Sequence, residues 1–161
     1  MSLPASNPAT TLRALEYALA TVPSNNPRPE TAVRARAEIV FSHLADVNAA
    51  VLVANNRGRY VHVNDIAVRL TGYTRDELLR LSVWDLTPMQ GRVDSRRLWR
   101  EFLKHGRLSG EYRLRRKDGR TITANYIAVT NVLPGIHVSL VVTGSRMRPN
   151  KKPARARSAA R

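Results

Sequence analysis

The chain contains no cysteine. Disulfides, thiolate metal sites and thiol nucleophiles are therefore excluded, and a cytoplasmic setting is expected. No apolar run reaches the ~20 residues that a bilayer-spanning helix needs, so no membrane association is expected. The N-terminal stretch MSLPASNPATT has neither the basic nor the apolar region of a secretory signal. Acids are scarce, at 12 against 27 lysines and arginines, which leaves a formal net charge of +15. That imbalance favours anionic partners such as nucleic acid, acidic protein or acidic lipid, and it speaks about association rather than fold.

Signs of catalysis are missing as well. No serine, histidine and aspartate stand in a nucleophile elbow or another activating context, so no catalytic residue is assigned. A Gly-rich phosphate loop is absent, because Arg57-Gly58-Arg59 and Asp118-Gly119-Arg120 are single turns. His43, His62, His105 and His137 show no metal-ligand spacing with one another or with a carboxylate, and no metal site is expected. No internal repeat is present.

What the chain does contain is one domain's worth of patterned sequence between tails. Residues 1–30 read as a flexible N-terminal segment, in which Leu12, Leu15 and Leu19 mark a short helix over Thr11–Ala20. The domain runs from 31 to 145. Thr31 caps a helix that ends near Asp46 and places Val33, Ala37, Val40, Phe41 and Leu44 on one face. Ala49–Ala54 and Arg59–Val63 read as a hairpin around the turn Asn55–Gly58.

Next comes NDIAVRLTGYTRDELLRLSVWDLT, residues 64–87. Asn64 caps a helix with Ile66, Ala67 and Leu70 on its apolar side. Gly72 stops that helix in the left-handed conformation. Thr74 and Glu77 make a capping box for a second short helix, flanked by a Tyr73–Leu78 hydrophobic staple. After a loop over Pro88–Arg92, Asp94 caps a helix from Ser95 to His105. Leu98, Trp99, Phe102 and Leu103 face inward on it, and Gly106 stops it. Ser109–Arg116 alternates, Asp118-Gly119 is a hairpin turn, and Thr121–Thr130 and Ile136–Thr143 are strands. Strands, then helices, then strands indicate an α+β domain. The last segment, 146–161, is basic and acid-free, and a disordered tail is expected there.

Asn64 followed by Leu70–Leu78 (LTGYTRDEL) resembles the helical signature of the PAS sensory domain family. Arg113–Gly119 (RLRRKDG) with the strand after it resembles that family's later hairpin, and the resemblance covers Ala35–Ser145. It implies a PAS-like five-stranded antiparallel sheet with helices on one face and an N-terminal amphipathic helix. It also implies a pocket between the sheet and the helix Asp94–His105. Family members hold flavin, haem or small metabolites there, or side chains only. The cysteinyl-flavin branch is excluded by the lack of cysteine. The haem branch uses a histidine on the long helix, matched here only by His105 in the last turn, where it faces solvent. Haem is therefore disfavoured, and the cofactor is left unknown, with none favoured.

Aligning the turn Lys117-Asp118-Gly119 with the family's equivalent turn sets the inward register. Tyr112, Leu114, Ile122, Ala124, Tyr126 and Ala128 then point in, as do His137, Ser139, Val141, Leu52 and Ala54. The pocket candidates are Leu52, Ala54, Leu98, Phe102, Leu114, Ala124, Tyr126, Ala128, His137 and Ser139. Two readings stay open: a small, partly polar ligand, or a filled core in which Tyr126 and His137 bond internally. In the same register Val51, Val53, Ile127, Val129, Ile136, Val138, Leu140 and Val142 point outward. An apolar outer face needs a cover. The helix Thr31–Asp46 is expected to supply it, in its own subunit or across a two-fold dimer.

The resemblance implies a single sensory or interaction module of bacterial-type signal transduction or regulation of transcription, with no output domain of its own. It would act through a small-molecule ligand, a signalling protein partner or a homodimer. The alternative is a small basic nucleic-acid-associated regulator. Its surface would be Arg146, Arg148, Lys151, Lys152, Arg155, Arg157 and Arg161, with Arg113, Arg115, Arg116 and Arg120 of the hairpin. Such contacts give weak, non-specific, salt-sensitive binding to phosphate backbones. Removal of residues 146–161 is expected to leave the cooperative melt intact and to abolish most retention on heparin. Undiminished retention would move the basic surface to the hairpin.

Overall fold

The structure, a computed structural model, describes residues 29–45, 47–88 and 92–143, together with positions 10, 13–15, 17 and 20. The expectations for the basic tail 146–161 and for most of residues 1–28 lie outside the described residues. A single antiparallel sheet of five strands organises the rest, in the order β2-β1-β5-β4-β3. The strands are β1 (Ala50–Asn55), β2 (Tyr60–Val63), β3 (Arg107–Arg115), β4 (Thr121–Leu133) and β5 (Ile136–Val142). The helices are α1 (Pro29–Ala45), α2 (Asp65–Thr71), α3 (Arg75–Leu78) and α4 (Arg92–His105), with a 3-10 turn at Val83–Leu86. The hairpin β1–β2 comes first, the helices cross over, and the meander β3–β4–β5 returns the last strand beside the first.

The sheet is apolar on both faces, and both are covered. On the inner face, Leu52, Ala54, Tyr60, Val63, Leu114 and Ala124 join Ala67, Leu78 and Leu86 in one buried cluster. On the outer face, Val51, Val53, Ile127, Val138 and Leu140 pack with Val40 and Leu44 of α1 and with Leu15. The expected cover therefore comes from the same chain. Leu15 falls in the segment read as flexible, yet it is fully buried in that outer cluster. The side chains of Val33, Ala37 and Phe41 lie outside the described residues.

The corner between α2 and α3 follows from local chemistry. Asn64 sits in an extended conformation and its side chain accepts the amide of Ala67. Gly72 closes α2 at φ 77°, the left-handed region where a Cβ is strained. Thr74 and Glu77 form the reciprocal capping box. The later hairpin docks on this corner. Lys117 donates its backbone amide to Thr71 at 2.9 Å, and its ammonium reaches Glu77 at 2.7 Å. The Lys117 ammonium and the Thr74 amide hold the Glu77 carboxyl below the usual carboxylate range.

The structure departs from the sequence reading at several points. Helix α1 begins at Pro29, so Thr31 lies inside it and is not its cap. Helix α4 begins at Arg92, so Asp94 is not its cap. Asp94 instead lies in the first turn, where its charge opposes the helix dipole and pairs with Arg97 at 3.7 Å. Strand β4 continues past Thr130 to Leu133 through a bulge, with Asn131 at φ 52°. Leu98, expected to face inward, is 44% exposed at the rim of α4.

The turn before β2 depends on a second glycine. Gly58 has φ 71°, and a Cβ there would meet the Trp84 ring at 2.7 Å. The Arg96 guanidinium also lies over that ring, 5.3 Å from the centroid. At Gly72 a Cβ would meet only ordinary contacts, so strain alone acts there. Gly72→Ala should cost about 1–2 kcal/mol. Gly58→Ala should cost more, because it adds a steric clash to the same strain. Side-by-side thermal melts test the order; equal midpoints would mean that Trp84 does not pack on the turn.

Candidate functional site

Between the inner face of the sheet and α4 lies a cavity of about 100 Å³. Its floor is made by inward residues of all five strands. Across the sheet, Leu52 pairs with Ser139, Ser139 with Ala128, and Ala128 with Leu108. Beside this row, Ala54 pairs with His137. Farther along, Val141 pairs with Tyr126 and Tyr126 with Gly110. Small side chains at Ala54, Ala128 and Ser139 leave the space, and the Tyr126 ring lies over Gly110. Helix α4 forms the roof with Ser95, Leu98, Trp99 and Phe102, and the 3-10 turn closes one end with Val83 and Leu86.

Nine of the ten pocket candidates line this cavity: Leu52, Ala54, Leu98, Phe102, Leu114, Tyr126, Ala128, His137 and Ser139. Ala124 does not; it is buried in the inner core below. Sequence reasoning missed Tyr60, Val83, Leu86, Ser95 and Leu108. Leu108 was recoverable from the alternation of Tyr112 and Leu114 carried two steps back. Tyr60 was not, because a bulge between β1 and β2 changes the parity of that strand.

His137 is the most constrained polar residue of the site. It is 2% exposed. The backbone N–H of Asn131 donates to its Nδ1 at 3.1 Å. A backbone amide can only donate, so Nδ1 carries no proton and the ring is neutral. Nε2 then donates to Asn56 Oδ1 at 2.8 Å. The backbone oxygen of Asn56 also accepts the Trp99 indole N–H at 3.1 Å. Trp99 and Phe102 stand in T-shaped contact with the imidazole at centroid distances of 5.5 and 5.8 Å. One histidine thus ties the β1–β2 turn, the β4 bulge and α4 together.

The phenols differ from one another. The Tyr112 and Thr87 hydroxyls share a hydrogen bond, and Thr87 Oγ1 also lies 3.4 Å from Val83 O. Tyr60 is 6% exposed, and its hydroxyl has no hydrogen-bond partner among the described residues. Burial pushes the Tyr60 phenol well above its ordinary value, with Tyr112 and Asp85 adding to the shift. Burial also raises Tyr126. These phenols are protonated at any physiological pH.

The cavity does not fit the large prosthetic groups. Ligand pockets are typically about 300–1,000 Å³, and 100 Å³ cannot take a flavin or a porphyrin without moving the walls. Both nitrogens of His137 are engaged. His105 stands away from the cavity, its side chain 71% exposed and paired with Glu101 at 3.3 Å. Among the described residues, no cluster of three histidines or carboxylates could hold a metal. No described helix is long and apolar enough to cross a membrane.

The basic hairpin is only partly a surface. Arg113 and Arg120 are exposed, whereas Arg115 and Arg116 are half-buried. Arg115 donates to the backbone oxygen of Asp85 at 3.3 Å. Two of the four hairpin arginines are therefore turned into the domain.

Comparison with known proteins follows the same outline. A family model described as PAS domain matches residues 48–143. No curated protein matches. Among solved structures, a PAS domain from Desulfitobacterium hafniense is 19% identical, with TM-score 0.57, covering 62% of this chain and 95% of its own. A domain of a sensory box sensor histidine kinase/response regulator from Geobacter sulfurreducens is 21% identical, with TM-score 0.53 and coverages of 72% and 98%. The quorum-sensing receptor RpfR PAS domain of Cronobacter turicensis, solved in complex with BDSF, is 15% identical, with TM-score 0.52 and coverages of 62% and 96%. At such identities the likeness concerns the fold.

Burial holds the His137 pKa below the ordinary histidine value; His62 is lowered by burial and then by Arg75. A histidine lowered in the folded state binds a proton more readily when unfolded. Its contribution is full above the unfolded value of about 6.5 and is lost as pH falls from there toward the folded value. His137→Gln stays neutral throughout and should flatten the loss of thermal stability between about pH 7 and pH 5, leaving the share due to His62. A decline as steep as the wild type's would show that His137 already titrates normally.

Proposed function

The chain belongs to the PAS domain family, and from that premise we propose that it is a sensory and interaction module whose cavity takes a small molecule. Domains of this family are sensory modules rather than enzymes. The observation that carries the proposal is the cavity itself: about 100 Å³ between the sheet and α4, half open at its mouth and lined by a few hydroxyls among apolar walls. A filled core has no such space, and a catalytic site would need a nucleophile and base. The complex of the Cronobacter turicensis domain with BDSF supports a ligand-holding role for this architecture.

Occupancy would be read out through β5. His137, Ser139 and Val141 of this strand line the cavity. Val138 and Leu140, between them, lie under α1 on the other face. A ligand that shifts β5 therefore shifts the seat of α1, and we propose that α1 and its surroundings contact the partner, which is a signalling or transcription-regulating protein or a second copy of the chain. The reading as a nucleic-acid-associated regulator rests on the charge of the chain and its basic tail, and the inward turn of Arg115 and Arg116 reduces the share of the hairpin.

Protein purified under native conditions, examined by absorption spectroscopy and intact mass, should show no flavin or haem band. Small-molecule screening by thermal shift should return stabilising compounds of modest size. Ala128→Leu puts three extra carbons into the cavity, at an overpacking cost of about 1–3 kcal/mol. It should remain folded and lose the stabilisation by every such compound. Shifts that persist undiminished in Ala128→Leu would place the binding elsewhere.

A further inference from the structure

The polar groups of the cavity divide into those already satisfied and those that are not. Tyr112 is hydrogen-bonded to Thr87, and His137 to Asn56 and Asn131. Tyr60, Tyr126 and Ser139 line the same cavity, and none has a hydrogen-bond partner among the described residues. Among the described residues, the side-chain atoms that are both sealed from open space and unpartnered are Nε of Arg115 and Nε of Arg116. The Tyr60 hydroxyl is not one of them, so it faces open volume. Tyr60 is 6% exposed as a whole and lines the cavity. An enclosed donor without an acceptor is a costly arrangement, because its desolvation is not offset.

Charge narrows the answer. No lysine or arginine lines the cavity. The imidazole of His137 is neutral and engaged at both nitrogens. The Asp85 carboxylate is close enough to Tyr60 to disfavour a second negative charge beside it. An anion placed there would be buried without a counter-charge. A cation would have no carboxylate lining its site. The remaining wall is hydrocarbon and aromatic.

We propose that the cavity is built for an uncharged, mostly apolar small molecule that carries one hydrogen-bond acceptor, a carbonyl compound such as a ketone, aldehyde or ester. Tyr60 donates to that oxygen, with Tyr126 and Ser139 as the further donors in the same space. At about 100 Å³ the space is smaller than the engineered 150 Å³ apolar cavity that holds benzene, so a one-ring probe fills it and extends into the half-open mouth where Leu98 is exposed. The inference rests on the ligand-holding reading above and specifies its chemistry.

Three probes of nearly equal shape separate the possibilities: acetophenone, α-methylstyrene and benzoate. They present a carbonyl oxygen, a methylene and a carboxylate at the same place. Titration of the full chain, followed calorimetrically and by amide NMR shifts, should give acetophenone about five- to tenfold tighter than α-methylstyrene, the worth of one net hydrogen bond. Benzoate should bind weakest. Tyr60→Phe removes one unpartnered oxygen and should fold normally. It should reduce the preference for acetophenone to within about twofold without weakening α-methylstyrene. Tyr126→Phe is the second variant and should reduce the preference in part.

Equal affinity for acetophenone and α-methylstyrene in the wild type overturns the donor assignment and leaves the cavity as an apolar ligand site. So does a preference that survives in both Phe variants. Benzoate binding tightest overturns the neutrality argument. Binding of none of the three, with a normal melt, overturns the proposed ligand-holding function along with this inference.

Discussion

The side chain of Asn64 is the joint on which the domain turns. Its Oδ1 accepts two backbone amides at 2.9 Å, Val51 of β1 and Ala67 of α2, while Nδ2 donates to Ala49 at 2.9 Å. One amide side chain thereby starts the first helix after the hairpin and fastens it to the central part of the sheet. Aspartate could repeat the two acceptor roles but could not donate to Ala49. The next constraint is Arg75, which reaches back to Val63 O at 2.6 Å and to Asp65 at 2.5 Å. The helical corner is thus pinned to the end of β2 as well as to β1, and the inner core forms beneath it.

Seen from this joint, the two sequence motifs are one structural unit. LTGYTRDEL supplies a corner with a backbone acceptor at Thr71 and a capping carboxylate at Glu77. RLRRKDG supplies a turn whose backbone amide and ammonium meet those two groups. The exposed Lys117–Glu77 pair contributes little by itself. The Lys117–Thr71 backbone bond and the capping box give the contact its geometry. The spacing of the motifs along the chain is long, but their separation in space is one hydrogen bond.

Much of this was legible because it is local or periodic. The Asn64 cap, the Gly72 stop and the Thr74–Glu77 box depend on residues within four positions of one another. The inward and outward sets of β4 and β5 follow from strict alternation once the hairpin turn is fixed. What was not legible depends on contacts far apart in sequence. Tyr60 and Val63 lie three residues apart and both point inward, which alternation forbids. The bulge resolves this: Leu52 pairs with Val63 and Val53 with His62, but Ala54 pairs with Tyr60, which leaves Val61 unpaired and 45% exposed. Asp94 was misread for a related reason, because acids favour the first helical turn as well as the cap. The 3-10 turn beside β2 has no periodic signal. It is held by Val83 donating to Gly58 O at 2.9 Å and Tyr60 donating to Leu81 O at 3.1 Å.

That bulge also accounts for the character of the cavity. Without it, Tyr60 would face the outer side of the sheet, and the inner side would receive Val61. The pocket would then lose its most deeply buried unpartnered donor and gain a hydrocarbon surface. The bonds of the bulged hairpin leave little freedom for this to revert, since Asn55 Oδ1 accepts both Arg57 N at 3.0 Å and Arg59 N at 3.2 Å. The satisfied members, Tyr112 and His137, are built into the walls through Thr87, Asn56 and Asn131 and fix the shape of the space. In the proposed ligand-holding role, the unsatisfied members would discriminate among what enters it. On that proposal rigidity and selectivity fall to different side chains of one site, and they can be altered separately.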